Sequence, residues 1–169
     1  MNRSFHIFAL AAASCLFVSC AGNTDSASLV PPGIQASSRT GQAISAQVSG
    51  GSPDNPLLAN ISDEKFKQAL ETSLVNSGLF RSKGSGGYEL GAFITSIRQP
   101  IVGLSMTVHM EVSYNLRKGG AVVWSKNIKS SYTAPMGDAF VGAVRLRKAT
   151  EGASRENITL LIRALDEKF

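Results

Sequence analysis

Cysteine is nearly missing from this chain. Its 169 residues hold two, Cys15 and Cys20, so nothing beyond residue 20 can enter a disulfide even in an oxidising compartment. Histidine is as scarce, with His6 and His109 only. Past residue 20, His109 has no second His or Cys with which to complete a zinc site, and no metal or cofactor is expected. The longest apolar run, Phe5 to Val18, falls short of the roughly 18 to 20 residues that a stable membrane-crossing helix needs. Aromatic residues make up 7% of the chain. Phe93, Trp124 and Tyr132 form no base-stacking motif, so nucleic acid is not an expected ligand.

What is present begins with an export signal. Arg3 supplies a short positive start, and Phe5 to Val18 is apolar or small apart from His6 and Ser14, the layout of a signal peptide over residues 1–19. The residues Phe17-Val18-Ser19-Cys20-Ala21 resemble the lipobox of bacterial lipoproteins, with Phe17 where that family usually has Leu. The resemblance implies that Cys20 receives a diacylglyceryl group before cleavage. Ala12-Ala13-Ser14-Cys15 fits more loosely and leaves only about eight apolar residues behind Arg3, at the bottom of the expected range. The plainer alternative is an ordinary signal cleaved after Ala21. Each buried CH₂ contributes about 0.8 kcal/mol, so the several acyl chains implied for Cys20 would anchor the protein far more firmly than surface charge. Ala21 after the cysteine, rather than Asp, resembles lipoproteins sorted to the outer membrane of Gram-negative bacteria, with the domain facing the periplasm.

Residues 20–41 form the next segment. They are rich in Ser, Gly, Ala, Thr and Pro, too few of them large and apolar to offset ordering entropy, and predict a flexible tether. Leu29-Val30-Pro31-Pro32 is the exception, a segment able to dock on a partner or on its own domain.

A single globular domain is expected over residues 42–169. Ile44, Ala46 and Val48 alternate with polar residues as a half-buried strand. Ser62 before Asp63 and Glu64 predicts a helix cap and acidic first turn, with Phe66, Ala69, Leu70, Ser73 and Leu74 on one face and a stop at Gly78. Arg81 to Gly87 reads as a flexible basic loop. Tyr88, Leu90, Ala92 and Ile94 alternate again, and Val108, Met110, Val112, Tyr114 and Leu116 oppose Thr107, His109, Glu111, Ser113 and Asn115, a strand with one buried and one wet face. Arg117-Lys118-Gly119-Gly120 predicts a hairpin turn. The return strand carries Val122, Trp124, Ile128 and Tyr132, with Lys126 breaking its apolar phase at a strand edge or bulge. A long helix follows over residues 143–166, its stripe set by Leu146, Ala149, Ala153, Leu160 and Ala164. The order βαβββα, about four mostly antiparallel strands with two helices on one face, is a two-layer α+β sandwich. This organisation resembles small periplasmic lipoproteins: the lipopolysaccharide-assembly lipoprotein, ABC-transporter auxiliary lipoproteins and the N-terminal part of TolB. The resemblance is one of topology and selects no single family.

Motifs for chemistry are few. Ser62-Asp63-Glu64-Lys65 and Ser125-Lys126-Asn127 resemble two elements of penicillin-recognising enzymes, but no Lys-Thr-Gly follows and Ser62 is better explained as a cap. Gly84-Ser85-Gly86-Gly87 lacks the Lys-Ser/Thr ending of a phosphate loop. Glu89 and Glu111 are wet-face carboxylates. No enzymatic activity is expected.

Removing Arg3 with the signal takes the 17 basic residues down by one against 12 acidic, a mild excess. Arg145, Arg147 and Lys148 open the last helix, where cations oppose the helix dipole, and Arg81 and Lys83 follow the first. If these ends meet, they form an anion-binding patch. The expected function is a non-enzymatic, lipid-anchored envelope protein that assists assembly or transport by binding a membrane protein or partner subunit. The alternative is a module for peptidoglycan or another anionic glycan.

Overall fold

The computed structural model describes residues 24–51, 61–100 and 103–169. Cys20 and the signal region lie outside the described residues. Within them the chain forms β1 (Ala43–Ser49), α1 (Asp63–Asn76), β2 (Ser82–Lys83), β3 (Tyr88–Arg98), β4 (Met106–Lys118), β5 (Ala121–Ala134) and α2 (Gly142–Asp166), preceded by a single 3-10 turn at Ser26–Leu29. The sheet order is β2-β1-β3-β4-β5. Both helices cover one face, as the two-layer α+β reading expects.

The local reasons are those the side chains suggest. Ser62 caps α1 by accepting the Lys65 amide at 3.4 Å, and Gly78, at φ +80°, ends it in the left-handed conformation that other residues resist. The β4–β5 hairpin closes through Gly119 and Gly120 alone, both at positive φ, the requirement of a two-residue turn whose twist matches the strands. β4 alternates as its sequence does, with Val108, Val112, Tyr114 and Leu116 buried against the helices.

Three features differ from expectation. β1 runs parallel to β3 and to the short β2, because α1 serves as the crossover from β1, and β2 occupies the stretch read as a loop. Beyond that two-residue strand, the Glu71 carboxylate accepts the Ala46 amide at 2.8 Å, so a helix side chain caps part of the β1 edge. On β5, the register slips between Leu116/Trp124 and Arg117/Val122. The extra residue, Val123, turns Val122 outward, and both valines are exposed. Lys126 keeps the helix-facing phase on an edge strand, which accounts for the break in apolar pattern.

The third difference is the segment before β1. Read as a flexible tether apart from Leu29-Val30-Pro31-Pro32, a segment able to dock, it is docked from Thr24 onward. Leu29 is fully buried in the same core as α1 and α2, and its turn touches both helices. Val30, Ile34 and Ala36 pack beside it. Arg155 of α2 donates to the Ser28 carbonyl, the Ala36 amide to Ser77 O (2.8 Å) and the Thr40 amide to Leu79 O (2.9 Å). At the end of α2, Asp166 accepts the Ser37 and Ser38 amides at 3.0 and 2.6 Å. Composition suggested disorder because it averages over the segment, whereas docking needs only Leu29 and a set of backbone groups.

Those two amide bonds hold the Asp166 carboxyl below the usual carboxylate range. A depressed acid contributes stability that is complete above its unfolded pKa, about 3.9, and is lost as pH falls through the lowered folded value. The latch is therefore intact at neutral pH.

Leu29→Ala is expected to destabilise the domain by about 2 to 5 kcal/mol, the range for deleting a fully buried leucine. Urea unfolding followed by circular dichroism measures this; an unchanged midpoint would mean that the segment is not part of the core.

Candidate functional site

The five basic residues proposed as a patch do not come together. The far end of α2 lies against the start of β3, where the Phe169 ring meets Phe80 and Tyr88 at 6.2 and 5.4 Å. Arg81 and Lys83 flank that end, since Ser82 pairs with Ala43 and the strand β3 starts beside them. Arg145, Arg147 and Lys148 stand at the other end of a helix of 25 residues, about 37 Å long at 1.5 Å per residue.

Nor are the three helix cations equally free. Arg145 is only 7% exposed. Its Nη1 donates to the carbonyls of Ala139 (2.7 Å) and Phe140 (2.9 Å), and its Nη2 to Gly103 O at 3.4 Å. One guanidinium thus fastens the loop before α2 to the loop before β4, a task suited to a planar fork of donors. Lys148 donates to Asp138 O at 2.7 Å, and Arg147 lies 3.8 Å from Glu151. The cations that oppose the helix dipole hold loop carbonyls and a carboxylate. Lys83 donates to Thr72 at 2.7 Å, and Arg81 is exposed.

The other singled-out residues have ordinary places. Ser62 is a cap, remote from Ser125 and Asn127 on the sheet. Gly84 and Gly86 take positive φ in a turn. Glu89 pairs in register with Arg117, and Glu111 with Ser96, which sets the two carboxylates far apart along the strands. His109 is exposed on the outer face.

That outer face is the surface sequence reasoning passed over. No helix covers it among the described residues. Its rows are Ser and Thr held by cross-strand bonds: Ser113 to Asn127 at 2.6 Å, and Thr107 with Thr133 at 2.9 Å. A bulge in β3 between Ile94 and Ser96 brings Arg98 directly opposite His109. These two, with Ser96, Glu111 and Lys129, line a shallow cleft of about 280 Å³, and Glu111 and Lys129 are 3.7 Å apart. Phe93, on the central strand β3, is 51% exposed on the same face. Strand alternation marked this face as wet, but the bulge that aligns Arg98 with His109 leaves no sequence signal.

No family model matches the chain, and no curated protein matches it. Solved structures do. A Xanthomonas campestris protein of family DUF330 superposes with a TM-score of 0.58 at 14% identity, covering 82% of this chain and 92% of its own. A minor lipoprotein of Acinetobacter baumannii gives 0.50 at 9% identity, over 77% and 94%. A PelC variant from Paraburkholderia phytofirmans, a dodecamer, gives 0.50 at 14%, over 76% and 90%. At such identities the likeness is one of fold. The fold is thus one that bacterial lipoproteins use, with no single family selected. Among the described residues no helix is long and apolar enough to cross a membrane.

Arg145→Lys keeps the charge but loses the fork. It is expected to cost about 1 to 3 kcal/mol, the scale of stranding buried hydrogen-bond partners, whereas Arg147→Ala should change stability by less than about 0.5 kcal/mol. Thermal unfolding of both variants checks this; equal small effects would return Arg145 to the role of a surface charge.

Proposed function

We propose that this protein is a non-enzymatic, lipid-anchored component of the bacterial envelope, held to the outer membrane through Cys20. It assists assembly or transport by holding a membrane protein or partner subunit on the open face of its sheet. The observation that carries this reading is the one-sided sheet. Helices and docked segment occupy one face, while the other offers an ordered polar ladder, an exposed aromatic ring at Phe93 and the Arg98, His109, Glu111 and Lys129 group. A rigid face with an aromatic anchor and a polar surround is the composition of a protein interface. The lipobox-like run ending in Cys20 supports the anchor, and the lipoproteins among the structures of like fold support the compartment. The dodecamer of PelC shows that the fold is used in an oligomer in that protein, so a second copy is one candidate occupant. The glycan-binding alternative loses its basis, because the basic residues on which it relied lie at two ends of the domain.

The test is a photo-crosslinking residue placed at Phe93 or at Lys67, on α1, in the chain expressed in intact cells. A discrete envelope protein, or this chain itself, captured from Phe93 and not from Lys67 is the expected result. Equal capture from both positions, or none from Phe93, would remove the open face as the binding surface.

A further inference from the structure

At the N-terminal end of α2 the domain exposes a cluster of large apolar side chains. Phe140 is 96% exposed, Leu104 72% and Val141 61%, with Met136 beside them. They sit on two loops, and the loops are held together: Arg145 bonds to Ala139 and Phe140 on one and to Gly103 on the other, while Lys148 holds Asp138. The cluster is thus a constructed tip on a braced support. Exposed apolar groups gathered in this way mark a surface that meets an apolar partner.

The course of the docked segment says which. It runs in the same sense as α2, from Ser28 at Arg155 to Ser37 and Ser38 at Asp166. Ser28 is therefore the end of the docked stretch nearer the start of α2. From Arg155 to Gly142 is about 20 Å along the helix axis, and the eight residues from Cys20 to Ser28 reach about 28 Å at most. Only three residues separate Cys20 from the buried Thr24, at most about 14 Å over the four residue steps. An acylated Cys20 would bring the bilayer surface within reach of this tip.

We propose that the tip formed by Leu104, Met136, Phe140 and Val141 inserts into the headgroup region of the membrane that carries the lipid anchor. This rests on the lipid-anchored reading above. It fixes the orientation of the domain, with α2 entering from the bilayer and the open sheet face left clear of it. Around the tip, Arg147 is paired with Glu151 and both Arg145 and Lys148 are turned to loop carbonyls, so insertion is apolar rather than electrostatic and is insensitive to salt.

The full chain is expressed in a Gram-negative host as the Trp124→Phe, Phe140→Trp variant, beside Trp124→Phe, Phe93→Trp as control. The purified mature proteins are placed on phosphatidylethanolamine–phosphatidylglycerol vesicles containing brominated acyl chains. Intact mass reports whether Cys20 is acylated. The expected result is an acylated protein whose fluorescence is quenched by about half or more from position 140 and little from position 93. Acylation with no quenching at 140, or equal quenching at both positions, overturns the tip while leaving the anchor. Vesicle co-sedimentation of the otherwise native chain and its Phe140→Ser variant covers the other cases. An unacylated protein that binds vesicles, and binds roughly tenfold more weakly as Phe140→Ser, keeps the tip and removes the anchor; one that does not bind removes both.

Discussion

Two helices on one side of this sheet do not close it. α1 packs on β1, α2 on β4 and β5, and the helices barely touch one another. The seam between them needs apolar volume from elsewhere, because a gap in a core forfeits both burial and contact energy. Leu29 fills it from a turn that precedes the first strand. Its burial contributes about 1.5 to 3 kcal/mol, and the backbone bonds at Ser28, Ala36, Ser37, Ser38 and Thr40 hold the segment in line. The helical layer is therefore made of three pieces. On the lipid-anchored reading proposed above, only a few residues then lie between Cys20 and this layer, so the packing requirement would also limit how far the domain stands from its anchor.

The same layer depends on polar groups that meet one another inside it. Tyr114 donates to Asn157 at 2.8 Å; Asn157 donates to Ile128 O and to Ser130, each at 3.1 Å; Ser130 donates to Ala153 O at 2.8 Å. All are buried, and burial pushes the Tyr114 hydroxyl well above its ordinary range, so it stays a neutral donor. A satisfied buried network costs little and fixes register, whereas losing one member strands the others. This network sets α2 along β4 and β5. Gly152 completes the fit, since a Cβ there would meet the Tyr132 ring at 2.3 Å. With α2 so placed, Arg145 arrives where two loops can share its guanidinium, and the apolar tip is the result.

Much of this architecture was legible in the residues. Ser62, Gly78, the paired glycines of the hairpin and the alternation of Val108 to Leu116 act through local backbone chemistry, which sequence displays directly. The docked segment was legible only in part: Leu29-Val30-Pro31-Pro32 stood out as able to dock, but Leu29 is one large side chain in a polar run and its burial depends on a seam made by helices far along the chain. Arg145 is a similar case. A cation at a helix start can be solvated, bind an anion or hold carbonyls, and only the position of Gly103 and Phe140 decides. On β5, a single extra residue at Val123 reversed the outlook of Val122. The open face was legible as wet, but its Arg98–His109 alignment came from a bulge at Thr95 that no composition signals.

The central claim is that residues 24–42 are part of the folded domain. Amide hydrogen exchange of the mature protein at neutral pH tests it most directly, through Ala36, Ser37, Ser38 and Thr40. Protection at these amides approaching that of the β4 amides is the predicted result, since their partners on α2 and just after α1 open only when the layer does. Exchange at the rate of an unstructured chain, with β4 still protected, would contradict it.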